Sequence, residues 1–318
     1  MLTVHRMGRR ALLGAIGAAA IVRPGWADAV LLRVGDQKGG AESLMKAADA
    51  LDGLPYRIAW NQFAAAAPVL EALNAGAVDL ALAGDAPVTF ALAAGMQARI
   101  VGATRSSGAG TAIVVPNGSP IRALADLKGR SVGVNRGSIG HALVLAVAVE
   151  QGWGTGGIKV VNLLPNEAKT AVSTGAIDAW SSWGVYIAQA TLVDGYRTIV
   201  DATHGRLSGL SYVVATEAAI ADKRAALLDF NRRLAAARRW AADNHAAYAA
   251  VLAREIGVSE PVTRLMLDTE TPLPVPLDRT VIADQQRTAD LYRSAGLIAA
   301  PLDAARIFDA SFNAVLAG

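Results

Sequence analysis

Apolar runs punctuate the chain at short intervals between Leu31 and Thr216: "LLRVGDQ", "YRIAWNQF", "VDLALAG", "ARIVGAT", "GTAIVVP", "SVGVNRG", "IKVVNLLP", "IDAWSSW", "RTIVDAT" and "LSYVVAT". Each is rich in β-branched, aliphatic or aromatic residues and most are bounded by turn formers, so each reads as a strand. Between most of them lie stretches with helical spacing, such as "AAPVLEALNAG", which stops at Gly76, and "NEAKTAVSTG", which runs from Asn166 to Gly175. Strands alternating with covering helices predict an α/β architecture with parallel-rich sheets buried on both faces. Beyond Thr216 the pattern is helical alone, with "DKRAALLDFNRRLAAARRWAADN" the longest stretch, and "TPLPVPLD" from Thr271 to Asp278 reads as a proline-broken connector.

The segment "VVPNGSPIRALADLKGRSVGV", from Val114 to Val134, contains two turns, a short helix and a new strand, and marks a seam. After it the order strand, turn, helix, strand begins again without any repeat of sequence. Two lobes are therefore expected, one built from residues 30–115 and 212–318 and the other from 116–211. Ligands of open α/β sheets sit beyond the carboxyl ends of strands, beside helix starts. That groups four loop tips: Asp36 to Gly40, Gly84 to Pro87, Gly137 to His141, and Trp180 to Tyr186.

Each tip has a chemistry and a plainer structural reading. In "VNRGSIGHALVLAVAVEQGW", Arg136 and Gly137 turn the chain and Ser138 stands at a helix N-cap. The amides of Ile139 and Gly140 have no partner within such a helix, and with the helix dipole they suit a carboxylate, phosphate or sulfonate. The plainer reading is a surface cap. His141 is either an anion donor or an interlobe contact. At the second tip Gly84 permits a tight turn, Asp85 caps a helix and Pro87 fits its first turn, with or without a ligand. Gln37 offers an amide beside Lys38 and a glycine pair, or belongs to a solvated loop. Trp180 and Trp183, set around Ser181 and Ser182 in a chain with few aromatics, either wall a pocket for an organic group or pack beneath the next helix. Arg105 and Arg136 add field strength or are simply solvated.

The first thirty residues alter the picture of charge and compartment. Arg9 and Arg10 precede an uncharged apolar run from Ala11 to Val22, followed by Ala27, Asp28 and Ala29, which is the pattern of a cleaved signal peptide over residues 1–29. The paired arginines suggest the twin-arginine route, with ordinary secretion open; the run is short for a membrane span. Arg6, Arg9, Arg10 and Arg23 against Asp28 account for the whole formal charge of +3, leaving a mature part near neutrality. No lysine or arginine cluster tracks a phosphate backbone, so nucleic acid is not an expected partner. With no cysteine and four histidines, disulfides and thiolate metal sites are excluded and no metal or other cofactor is expected.

The stretches "LRVGDQKGG", "APVLEALNAGAVDLALAGDAPVTFALAAG", "VVPNGSPIRALADLKGRSVGVNRGSIGHALV", "DAWSSWGVY", "WAADNHAAYAAVLARE" and "QQRTADLYRSAGLIAAPLD" together resemble the substrate-binding components of sulfonate, taurine and nitrate-type ABC importers, most closely the aliphatic-sulfonate-binding proteins. The resemblance spans nearly all of the mature chain. It implies a type 2 periplasmic-binding fold, two α/β lobes joined by crossing strands with the ligand enclosed between them. The family's glutamine after the first strand falls on Gln37, its G-D-x-P turn on Gly84, Asp85 and Pro87, its G-S-x-x-H helix start on Gly137, Ser138 and His141, and its D-A-W on Asp178 and Trp180, where Asp178 orients the loop without needing to touch ligand. Where the family often continues W-D-P-Y, this chain has Trp183, Gly184, Val185 and Tyr186, which changes the stiffness and charge of the loop.

The resulting expectation is a monomeric receptor, not an enzyme, that delivers a small organic anion of the sulfonate class to the transmembrane subunits of an ABC permease. The anion head is placed at Ser138, Ile139 and Gly140, held more by neutral donors than by a paired arginine, and the organic part against Trp180 and Trp183. The alternatives are a receptor of the same class for nitrate, a thiamine-precursor pyrimidine or another small metabolite, and an exported enzyme acting on an organic acid. The enzyme reading lacks G-x-S-x-G, H-E-x-x-H and any convincing carboxylate pair, and "GRLSG" from Gly205 to Gly209 is not set between a strand and a helix.

Overall fold

All ten apolar runs become strands in the computed structural model, which describes residues 29–316 except residue 155. The predicted leader, residues 1–28 of it at least, lies outside the described residues. In chain order the strands are β1 (Leu31–Gln37), β2 (Arg57–Phe63), β3 (Leu80–Gly84), β4 (Ala98–Arg105), β5 (Thr111–Val115), β6 (Ser131–Val134), β7 (Lys159–Asn162), β8 (Ala179–Trp183), β9 (Arg197–Asp201) and β10 (Leu210–Thr216). The helices are α1 (Ala41–Ala47), α2 (Ala66–Asn74), α3 (Asp85–Ala93), α4 (Ile139–Glu150), α5 (Pro165–Ser173), α6 (Val185–Leu192), α7 (Glu217–Asp222), α8 (Arg224–Asp243), α9 (His245–Ile256), α10 (Glu260–Thr269) and α11 (Arg279–Ser294).

The strands form two mixed sheets with the same internal plan. One runs β2-β1-β3-β10-β4 and is extended by a further edge strand; the other runs β7-β6-β8-β5-β9. In each, three neighbouring strands are parallel, and an antiparallel strand arriving from the other lobe is inserted before the last. This is the two-lobed α/β architecture of the type 2 periplasmic-binding fold. Helices cover both faces of both sheets: Leu32, Val34, Leu227 and Phe230 belong to the core on one face of the first sheet, and Val69, Leu73, Ile100 and Val214 to the core on the other. The second sheet likewise separates a core around Val132 and Leu143 from one around Val172 and Trp180. Among the described residues no helix is long and apolar enough to cross a membrane.

Two details depart from the sequence reading. The strand Thr111–Val115 pairs antiparallel with β8 and β9, so it belongs to the second sheet, and Leu210 and Ser211 open β10 in the first. The chain thus changes sheet between Arg105 and Thr111 and again between Asp201 and Leu210, not at the turn-rich stretch after Val115. That stretch is conspicuous in sequence because it connects two elements of one lobe. Within the proline-rich connector, Leu273–Val275 forms β11, antiparallel to β4 at the edge of the first sheet, where the missing N–H of Pro274 is tolerated.

Candidate functional site

Residues just beyond β1, β3 and β6, and the last residue of β8, line one cavity of about 630 Å³ between the sheets. The two chain crossings form its back. Ser106 and Gly209 line it and are tied together, the Ser106 N–H donating to the Gly209 carbonyl at 2.9 Å. Glu270, at the end of α10, accepts the N–H groups of Gly108 at 3.1 Å and Gly110 at 2.6 Å, which fixes the outgoing crossing to the first lobe.

Of the candidate residues, Gln37, Gly84, Pro87, Ser138, Ile139 and Trp183 line this cavity. Ser138 is the N-cap of α4: its Oγ accepts the His141 N–H at 3.2 Å. That bond leaves the hydroxyl proton free to be donated elsewhere. The Ile139 amide sits in the unpaired first turn at the cavity wall. Arg136, exposed, flanks the same entrance, and among the described residues it has no ion-pair partner.

The other four candidates do different work. Trp180 is 1% exposed and lies in the second lobe's core with Val172, Ile177 and Ile187. Trp183, the last residue of β8, lines the cavity instead, and both rings meet Tyr186 edge to face, at 6.2 and 5.9 Å, so Trp180 backs the cavity wall at one remove. Asp85, 2% exposed, is spent on structure: its carboxylate accepts from the Ser208 hydroxyl, from Thr288 Oγ1 at 3.0 Å and from its own helix at the Ala86 N–H, 2.6 Å. Burial still pushes that carboxyl above its usual range. Gly140 lets α4 approach β8, since a Cβ there would meet the Ser181 carbonyl oxygen at 2.8 Å. His141, 4% exposed, accepts the Gly137 N–H on Nδ1 at 3.2 Å, and burial together with nearby Arg136 pulls its pKa down to about 4. It is a neutral imidazole that shapes the turn before Ser138, not a cationic donor to the cavity.

Arg105, too, is committed elsewhere, to Asp284 at 2.5 Å and the Ser208 carbonyl at 2.8 Å. Asp178 accepts from the backbone and hydroxyl of Ser131, at 2.8 and 2.6 Å, and joins the start of β8 to β6. Gly184, which follows Trp183, has φ 52° and ψ −126°, a conformation that L side chains rarely adopt. A glycine at this position therefore has a backbone reason to be there.

The sequence reading missed the C-terminal helices' share of the cavity: Arg238 from α8, Tyr248 from α9, and Leu265 and Met266 from α10. A signal for Arg238 was present. On α8 the row Leu227, Asn231, Leu234, Arg238, Ala241 has the 4-3-4-3 spacing of a core-facing stripe, and two of its five members are polar.

The family model described as NMT1/THI5 like matches residues 58–246. The chain is 32% identical over 302 residues to a protein of Escherichia coli (strain K12) named as an aliphatic sulfonates-binding protein, covering 92% of this chain and 93% of that one. A protein of Bacillus subtilis (strain 168) with the same designation is 24% identical over 265 residues, 83% of this chain and 80% of its own. Among solved structures, the alkanesulfonate-binding protein of Xanthomonas axonopodis pv. citri bound to MOPS superposes with a TM-score of 0.83 at 29% identity, covering 89% of this chain and 99% of that one.

Proposed function

Given that the chain belongs to the NMT1/THI5-like, sulfonate-binding family of ABC-transporter periplasmic substrate-binding proteins, we propose that its interlobe cavity captures an organosulfonate by its anionic head at the α4 entrance. The protein is an exported, periplasmic receptor for a small organic anion, and its partners are that ligand and the permease subunits of its importer. The relatives described above are named as binding proteins, which supports a receptor and not an enzyme.

The observation that carries the proposal is Ser138, a cap whose hydroxyl proton is uncommitted, at the cavity wall beside the unpaired Ile139 amide and Arg136. A sulfonate oxygen placed there receives oriented neutral donors in the helix dipole's positive field. Gln37, Gly84, Pro87 and Trp183 complete the wall. A volume of about 630 Å³, with Leu70, Met96, Ile187 and Met266 in its lining, suits an organic group larger than two carbons.

The test is calorimetry on purified protein with octanesulfonate and benzenesulfonate, wild type against Ser138→Ala. Loss of a hydrogen bond to a charged group corresponds to roughly 1.5 to 3 kcal/mol of binding, and loss of the cap to about 1 kcal/mol of folding stability. A folded Ser138→Ala protein with undiminished affinity overturns the assignment.

A further inference from the structure

Arg238 has no partner that accounts for it. Its Nε is enclosed and makes no hydrogen bond, and among the described residues no carboxylate stands within ion-pair distance of its guanidinium. It lines the main cavity and also a second one of about 150 Å³, between α8 and the end of the first sheet. Gln37, Gly40, Gly84 and Ser211 line both, so the smaller space is a side chamber of the larger. At about 30 Å³ per water, the chamber has room for a carboxylate or sulfonate.

The acidic groups nearby are already engaged or distant. Asp36 borders the chamber and its charge acts on Arg238 through space, but its carboxylate accepts the Gln37 and Glu42 N–H groups, at 2.8 and 2.9 Å, makes no ion pair with the guanidinium, and is pushed by burial up to about 6. Glu270 is turned to the Gly108 and Gly110 amides, and Glu71 is exposed on α2. A single acid group at Ser138 therefore leaves the Arg238 guanidinium, on the other lobe, without a hydrogen-bonded acid partner in a partly dehydrated wall, where an enclosed donor costs free energy until an acceptor reaches it.

We propose that the ligand is an organic dianion whose second acidic group sits on Arg238 at the mouth of the side chamber. This rests on the sulfonate reading for the first group. A carboxylate at the far end of a sulfonate meets the guanidinium's fork of donors, with the Gln37 amide and the Ser211 and Thr104 hydroxyls in the same walls.

The experiment is calorimetry at low salt on matched pairs, benzenesulfonate against 4-sulfobenzoate and butanesulfonate against 4-sulfobutanoate, so that spacing alone does not decide. The wild type is expected to bind the dianion of at least one pair about tenfold or more tightly. Arg238→Met is expected to abolish that advantage while holding the monosulfonate within about threefold, and Arg238→Lys to restore part of it. No preference in either pair for the wild type overturns the proposal, and equal weakening of both members by Arg238→Met reassigns the arginine to the sulfonate head. If Arg238→Met does not fold, the wild-type preference and the Arg238→Lys protein decide. Terephthalate separates the two readings: if it binds where no sulfonate does, the dianion site stands and the sulfonate reading falls, and if nothing binds both fall.

Discussion

Nδ1 of His141 can accept the Gly137 N–H only while it is unprotonated, so the turn that presents Ser138 depends on a neutral ring. Its folded pKa, near 4, lies below the ordinary value of 6.5, so the stability it contributes is complete above pH 6.5 and is lost as pH falls from there toward 4. Asp36 acts in the opposite sense. Raised from 3.8 to about 6, it penalises the folded state above pH 6, and that penalty is relieved as pH falls through the same window. In the wild type the two effects oppose each other, so the His141 contribution is read by comparison with a variant. His141→Asn keeps an acceptor near the Nδ1 position and removes the titration. Relative to wild type, its unfolding free energy should rise by about 2 kcal/mol on going from pH 7 to 4.5, read from urea denaturation at both values. Identical pH slopes for the two proteins would show that His141 does not titrate in this way.

At the scale of elements, strands and helices were legible because each apolar run carries its own period and its own turn residues. What was not legible was partnership. Nothing local to "GTAIVVP" says that it inserts between β8 and β9, and "TPLPVPLD" gains its strand only from the exposed edge of β4. The cleft residues contributed by one tip, such as Ser138 and Ile139, could be read from helix-start chemistry, whereas Arg238 and Tyr248 enter from helices distant in sequence. Trp180, 1% exposed, lies in the core behind the cavity wall, while Trp183 lines the cavity, a difference of burial that the sequence does not state. The two rings should respond differently. Trp180→Ala should cost about 3 to 5 kcal/mol of stability, as for a large core aromatic. Trp183→Ala should leave stability much closer to wild type and weaken bulky sulfonates more than ethanesulfonate. An extra burial of about 60 Å² at about 25 cal/mol per Å² makes that difference roughly tenfold. Denaturation and calorimetry across ethanesulfonate, octanesulfonate and benzenesulfonate check both halves.

At the scale of the whole molecule, the lobes touch on both sides of the cavity, and each contact bears on how the site is assembled. On one side α10 of the first lobe packs on α6 of the second, with the Met266 sulfur beside Gly184. On the other, α11 and α3 meet α4: the Phe90 ring lies against Gly137, and the hydroxyl of Tyr292 donates to the Ser138 carbonyl at 3.3 Å. Tyr292 is fully enclosed and meets Phe90 edge to face at 5.9 Å, so its ring is held by packing and its hydroxyl by the other lobe. The crossings at Ser106 to Gly110 and at residues 202–209 are the only covalent links between the sheets among the described residues, so hinge motion about them is the expected opening coordinate. Tyr292→Phe removes one interlobe hydrogen bond and little else, because the Ser138 carbonyl keeps the Ala142 N–H at 3.0 Å. A hydrogen bond of about 0.5 to 1.5 kcal/mol net then shifts the free protein toward the open form, and apparent affinity falls with the competent fraction, about two- to tenfold. Small-angle scattering of the ligand-free variant should give a larger radius of gyration than wild type, and saturating sulfonate should bring the two together. Equal radii and equal affinities would mean that the Tyr292 hydroxyl does not hold the lobes, and that the contact between α6 and α10 governs closure.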